Sequence, residues 1–149
     1  MIFDLQALFS DKQAVTTGTQ LSTNSLDTLA GQALQSMPAH FGSPLHDPGR
    51  GNMLTVLVMV NTAFTGGTSL QVNLISSANE NLSSATVLSS SAVIAEASLV
   101  SGYQFRLTAF PQGITQRYLG VQYVTVGTHS TGTITAGIVF ARDSNYAPI

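Results

Sequence analysis

The residues of this chain best suited to hold a metal are His40, His46 and Asp47, whose donor types suit zinc. Their spacing matches no metal-binding motif, and the stretch that carries them lends no fixed geometry, so ordinary loop hydrogen bonds account for them. His129 could enter a Ser–His–Asp triad, because serines are abundant. No Gly-x-Ser-x-Gly elbow surrounds any of them, however, and the tight connection Thr128–Thr131 makes His129 an exposed turn residue. Paired carboxylates do glycosidase chemistry. The only glutamates are Glu80, in a Ser/Asn loop, and Glu96, in a short hinge, and both read as solvated surface groups. Gly49-Arg50-Gly51 lacks the strand–turn–helix setting of a phosphate loop. The expectation is a chain that is not an enzyme and carries no metal and no cofactor. Arg117 beside Tyr118 is different: both types are enriched at binding hot spots, so the pair reads equally as an interface anchor or as ordinary surface.

Composition narrows the partners. Of 149 residues, 44% are hydrophobic and only 8% charged, against roughly a quarter charged in an ordinary soluble domain. Serine and threonine, 17 of each, fill the deficit. A hydroxyl-rich surface can meet a large neutral assembly with little charge to desolvate, although threonine is also simply a good strand former. Net charge is −2, and the five cations Lys12, Arg50, Arg106, Arg117 and Arg142 are scattered in sequence. That argues against nucleic acid, which needs basic clusters. The absence of cysteine removes disulfides and thiolate chemistry. The N-terminus has no basic region and carries Asp4 within its apolar stretch, unlike a signal peptide. The longest strongly apolar run, Met53 to Val60, is too short to span a bilayer, so no membrane partner is expected.

The elements that would position these residues are strands. Residues 1–13 form a short helix or an extended arm with Ile2, Leu5, Leu8 and Phe9 at helical spacing. Ala14 to Leu29 reads as one or two strands with a break near Gly18. Residues 30–52, dense in glycine and proline, form a long loop. Met53 to Asn61 is a strand covered on both faces. Thr65-Gly66-Gly67-Thr68 then supplies a hairpin turn into Ser69 to Ser76. Short strands follow near Ala85 to Leu88 and Ala92 to Ala95. Tyr103 to Phe110 alternates cleanly, with Tyr103, Phe105 and Leu107 on one face. Arg117 to Val126 and Thr133 to Ala141 form a second hairpin around Gly127 to Gly132. About eight strands in a single domain over residues 1–149 give an all-β, antiparallel β-sandwich, jelly-roll-like, with a long Gly/Pro-rich loop.

Three stretches, in their order and spacing, resemble the head cement (decoration) proteins of tailed bacteriophages: IFDLQALFSDKQAVT near the N-terminus, LTVLVMVNTAFTGGTSLQVNLISSANENLSSATVL in the middle, and QRYLGVQYVTVGTHSTGTITAGIVFARDSNY near the C-terminus. The resemblance covers most of the chain outside the long loop, which looks longer here than in that family. It implies a structural virion protein on the outer surface of a capsid built from a different major capsid protein. It also implies a homo-dimer or homo-trimer that bridges capsomers. No catalytic residues carry over. The interface candidates are Ile2, Phe3, Leu5, Leu8 and Phe9 of the arm, Phe41 and Arg50 of the loop, and Arg117 and Tyr118. A rival reading is a receptor- or carbohydrate-binding sandwich of a phage tail or fibre. Against it stand the lack of tryptophan and the assignment of Tyr103 and Tyr123 to buried faces, since sugar rings stack on exposed aromatics.

Overall fold

The computed structural model describes residues 4–28, 55–107 and 114–139. Ile2, Phe3 and the loop 30–52, with His40, Phe41, His46, Asp47 and Arg50, lie outside the described residues. Asp4 caps a single 3-10 turn, Leu5–Ala7, by accepting the Gln6 N–H at 2.9 Å, and the chain then extends. The strands are β1 (Leu8–Ala14), β2 (Thr17–Leu21), β3 (Leu26–Asp27), β4 (Thr55–Ser77), β5 (Thr86–Ser90), β6 (Ile94–Ala95), β7 (Gln104–Arg106) and β8 (Tyr118–Val139). They form one antiparallel sheet. Within β1, Lys12 takes φ 46° at a register irregularity, and the Ser10 hydroxyl donates to Gln13 at 2.7 Å.

Neither expected hairpin exists. β4 runs unbroken through Gly66-Gly67, and β8 runs unbroken through Gly127 and Gly132. The two strands pair with each other from Thr55↔Val139 to Ser77↔Tyr118. Glycines that a local reading assigns to chain reversal instead bend two strands side by side. Gly67 lies opposite Gly127, and the register shifts at four successive steps between Val60 and Ser69. Bulges of this kind add bend and twist without ending a strand.

Flanking strands follow the same path. β1, β2 and β3 line one side of β8, and β7, β6 and β5 line the other side of β4. The result is a sheet four strands wide, folded in half along a crease. The crease crosses Val15–Thr16, Thr62–Gly67, Glu96–Gly102 and Gly127–Gly132. Both halves contribute to one core: Val56, Val58, Val60, Ile134 and Ala136 from one, Leu70, Val72, Leu74, Leu119, Val121 and Tyr123 from the other. The all-β sandwich is therefore built from a single folded sheet that is not closed into a barrel. Leu57, on the opposite face of β4 from Val56 and Val58, is also buried, as a strand covered on both faces requires.

Tyr123 ties the halves together. Its ring is fully buried, and its hydroxyl donates to Ser10 Oγ at 2.8 Å across the core. Burial pushes its pKa well above the ordinary tyrosine value, opposed by the Ser10 hydrogen bond. The folded state thus keeps a proton that the unfolded chain releases near pH ~10. Stability is fully present below that pH and falls as pH rises beyond it, because the unfolded state then binds fewer protons. Thermal unfolding followed between pH 8 and pH 11, on the order of the phenol's ordinary range, should show this alkaline loss. Tyr123→Phe should lessen it, at a cost of about 1 kcal/mol at neutral pH for the lost hydrogen bond.

Candidate functional site

Two side-chain clusters stand out, one at the crease and one at the far end of β8. At the crease, β6 delivers Glu96 to the bent segment of β4. The Glu96 carboxylate accepts the Gly66 N–H at 3.2 Å, the Gly67 N–H, and His129 Nδ1 at 3.0 Å. His129 comes from β8, is buried, and sets its ring edge-on to Phe64 at 5.0 Å. Its Nε2 faces the Ser69 carbonyl at 3.4 Å. Both ring nitrogens therefore face oxygens of the protein itself. The ring fits because Gly67 has no side chain. A Cβ there would lie 2.2 Å from His129 Cε1.

Expectation and structure part company here. His129 is neither exposed nor in a turn, and Glu96 is not a solvated carboxylate. The residues are 33 positions apart and meet only because the two bends coincide. The cluster also lacks the geometry of a hydrolytic triad. Among the described residues no serine hydroxyl bonds His129, whose second nitrogen is taken by a backbone carbonyl, and the ring has no exposed surface. Among the described residues, too, no group of three His, Cys, Asp or Glu side chains could hold a metal ion. The arrangement can fix backbone geometry.

At the start of β8, Arg117 and Tyr118 remain together at the surface. Arg117 makes a two-pronged contact with Asp27 of β3, Nε to Oδ1 at 2.8 Å and Nη2 to Oδ2 at 2.7 Å. Its guanidinium carbon lies 5.1 Å from the centre of the Tyr118 ring. The Asp27 hydrogen bonds raise the Arg117 pKa above its ordinary value; desolvation opposes them, and the charges of Asp27, Tyr118 and Glu80 reinforce them. Tyr118 is half-buried and lines an open cleft of about 860 Å³ together with Thr23, Asn24 and Ser25 on one wall and Ala78 to Asn81 and Ser83 on the other.

The remaining described interface candidates separate. Leu5 is 81% exposed, Leu8 is half-buried in β1, and Phe9 is buried in the chain's own core, with no surface left for a partner. They sit on a different stretch from Arg117 and Tyr118, of which Tyr118 pairs with Asp27 of β3 and Ser77 of β4.

Glu96→Ala should destabilise the protein by about 2–3 kcal/mol, since it strips two backbone donors and the imidazole of their acceptor. Gly67→Ala should cost about 1–3 kcal/mol by driving a methyl into the ring. The two effects should fall short of additivity in a double-mutant cycle, because both substitutions dislodge the same ring; urea denaturation measures all three variants.

No curated protein matches this chain. A family model does: the one named Bbp16 matches residues 9–142, from the last residues of the arm, across both long strands, to a point beyond β8. The chain belongs to the Bbp16 family.

Proposed function

We propose that this chain is a non-enzymatic structural virion protein that binds the outside of an assembled phage capsid and stabilises it by bridging capsomers. The observation that carries the reading is the resemblance of three stretches of the sequence to head cement proteins, and the all-β fold and the family match across residues 9–142 are compatible with it. The surface chemistry agrees with it. Along the outer rim of the crease, Thr65 bonds Ser130 and Thr131 through their hydroxyls at 2.9 and 2.8 Å, and Thr133 bonds Thr62 at 2.9 Å. These neutral groups are exposed or half-exposed, and they can exchange one hydroxyl partner for another without stripping water from a charge.

Cementing works by mass action. A protein that binds the assembled shell and not its dissociated subunits stabilises the shell by its binding free energy. Contacts repeated at each symmetric position accumulate, so each can be weak. In a dimer or trimer of this chain, the second contact becomes intramolecular and avidity rises. In this reading the major capsid protein is the partner, and Leu5 is the exposed apolar anchor among the described residues of the arm, since Phe9 is occupied within the fold.

Purified protein should co-sediment saturably with expanded phage heads that lack it and should raise the temperature at which those heads open. Failure to bind expanded heads at any protein excess would sink the reading. Leu5→Ser should leave folding unchanged, because the side chain is exposed, and should weaken head binding by ~1–2 kcal/mol per site if a leucine's burial is lost. Unchanged binding would remove Leu5 from the contact.

A further inference from the structure

We propose that the cleft between residues 23–25 and 78–83, with Tyr118 between them, is a binding site for a neutral oligosaccharide. The inference is independent of capsid binding: it concerns another surface and a ligand of another class.

The topology builds the cleft. β8 enters the sheet at Tyr118, between Asp27 of β3 on one side and Ser77 of β4 on the other. The connection that precedes β3 supplies one wall and the loop that follows β4 supplies the other. That loop is held in shape. Leu82 is buried, with its side chain over Gly120, where a Cβ would lie 2.3 Å from Leu82 Cδ1. Ser77 Oγ donates to the Ser83 carbonyl at 2.7 Å and accepts the Asn79 N–H at 3.0 Å. Asn81 Oδ1 accepts the Ser83 N–H at 3.1 Å. Leu82 and Ser84 take φ of 58° and 53°, a left-handed conformation that costs non-glycine residues on the order of 1 kcal/mol each. A surface loop strained and anchored in this way presents its side chains already ordered, which lowers the entropic cost of binding.

The lining selects the ligand. Asn24, Asn79, Asn81, Ser25, Thr23 and Ser83 present amides and hydroxyls, and among the described residues the Glu80 carboxylate accepts no hydrogen bond. Groups of this kind both donate and accept, as sugar hydroxyls do. Tyr118 adds a half-buried aromatic ring, with the Arg117 guanidinium carbon 5.1 Å from its centre, and the C–H face of a sugar can pack against such a ring. Among the described residues of the cleft an anionic ligand finds no free cation, because Arg117 is already engaged by Asp27, and it would meet Glu80. A peptide held by apolar side chains finds no pocket for them among the described residues, of which Ala78 is the one aliphatic member of the lining. The volume lies within the range of roughly 300–1,000 Å³ seen for small-molecule sites.

The test uses the whole chain on an array of neutral and anionic oligosaccharides, followed by calorimetric titration with the best neutral one. Binding of a neutral glycan is expected. It should weaken roughly tenfold or more in Tyr118→Ala and in Glu80→Ala, a loss of ~1.4 kcal/mol or more, with the thermal midpoint of Glu80→Ala unchanged. Chemical-shift mapping on the unaltered protein should place the ligand at residues 78–83 and Tyr118, so the outcome does not depend on either variant folding. Absence of neutral-glycan binding, binding of anionic glycans alone, or shifts elsewhere on the surface would each overturn the proposal.

Discussion

A sheet four strands wide has two faces, and water must be kept from at least one of them. This chain meets that constraint by folding its sheet in half. The fold needs backbone bent at the same place in adjacent strands, and bent backbone leaves N–H groups without their ladder partners. Glu96 answers that need. One carboxylate takes the N–H groups of Gly66 and Gly67 and at the same time holds His129, whose ring occupies the space that Gly67 leaves open. The core depends on this arrangement, because Val58 and Val72, or Ile134 and Tyr123, lie on one continuous inner face that closes only if the crease holds.

Much of the fold was legible in the sequence. Leu70, Val72 and Leu74, Leu119, Val121 and Tyr123, and Ile134 and Ala136 stand at alternate positions in the sequence, and the structure has them all in the core. The short strands near residues 86–90 and 94–95 were equally readable. The connectivity at Gly66-Gly67 and at Gly127–Gly132 was not. A glycine pair between two apolar runs has the same local signature whether the chain reverses or bends, and the choice rests on pairing with a strand some 60 residues away in sequence. The same blindness hid the crease cluster. Glu96 and His129 carry no mutual spacing signal, and each looks like a surface residue beside its own neighbours. Arg117 and Tyr118 were visible because the pair is contiguous, whereas Asp27, which fixes the arginine, belongs to a strand of two residues that no pattern could mark as its partner.

The two notable clusters share a device. At the crease, His129 covers Gly67; at the end of β8, Leu82 covers Gly120. In both, a side chain from one segment occupies the missing Cβ volume of another, so a loop or bend is locked by shape as well as by hydrogen bonds. Such a lock tolerates little: the neighbouring atoms belong to a ring with no exposed surface or to a buried leucine, and neither can swing into solvent.

The layout of the long strands also sets an order of events. Among the described strands, β1, β2 and β3 pair with β8 alone, so they have no strand partner until β8 has been made. That side of the sandwich therefore waits unpaired while the residues between β3 and β8 are synthesised. The central pair joins segments far apart in sequence, and closure of so long a loop slows the search; the local pairing open to this topology is that of β4 with β5 across residues 78–85. A surface poor in charge gives an unpaired strand little protection during that interval. The folded protein's neutrality thus carries a kinetic hazard: until β8 arrives, the same hydroxyl-rich, weakly charged segments can pair with those of another nascent chain.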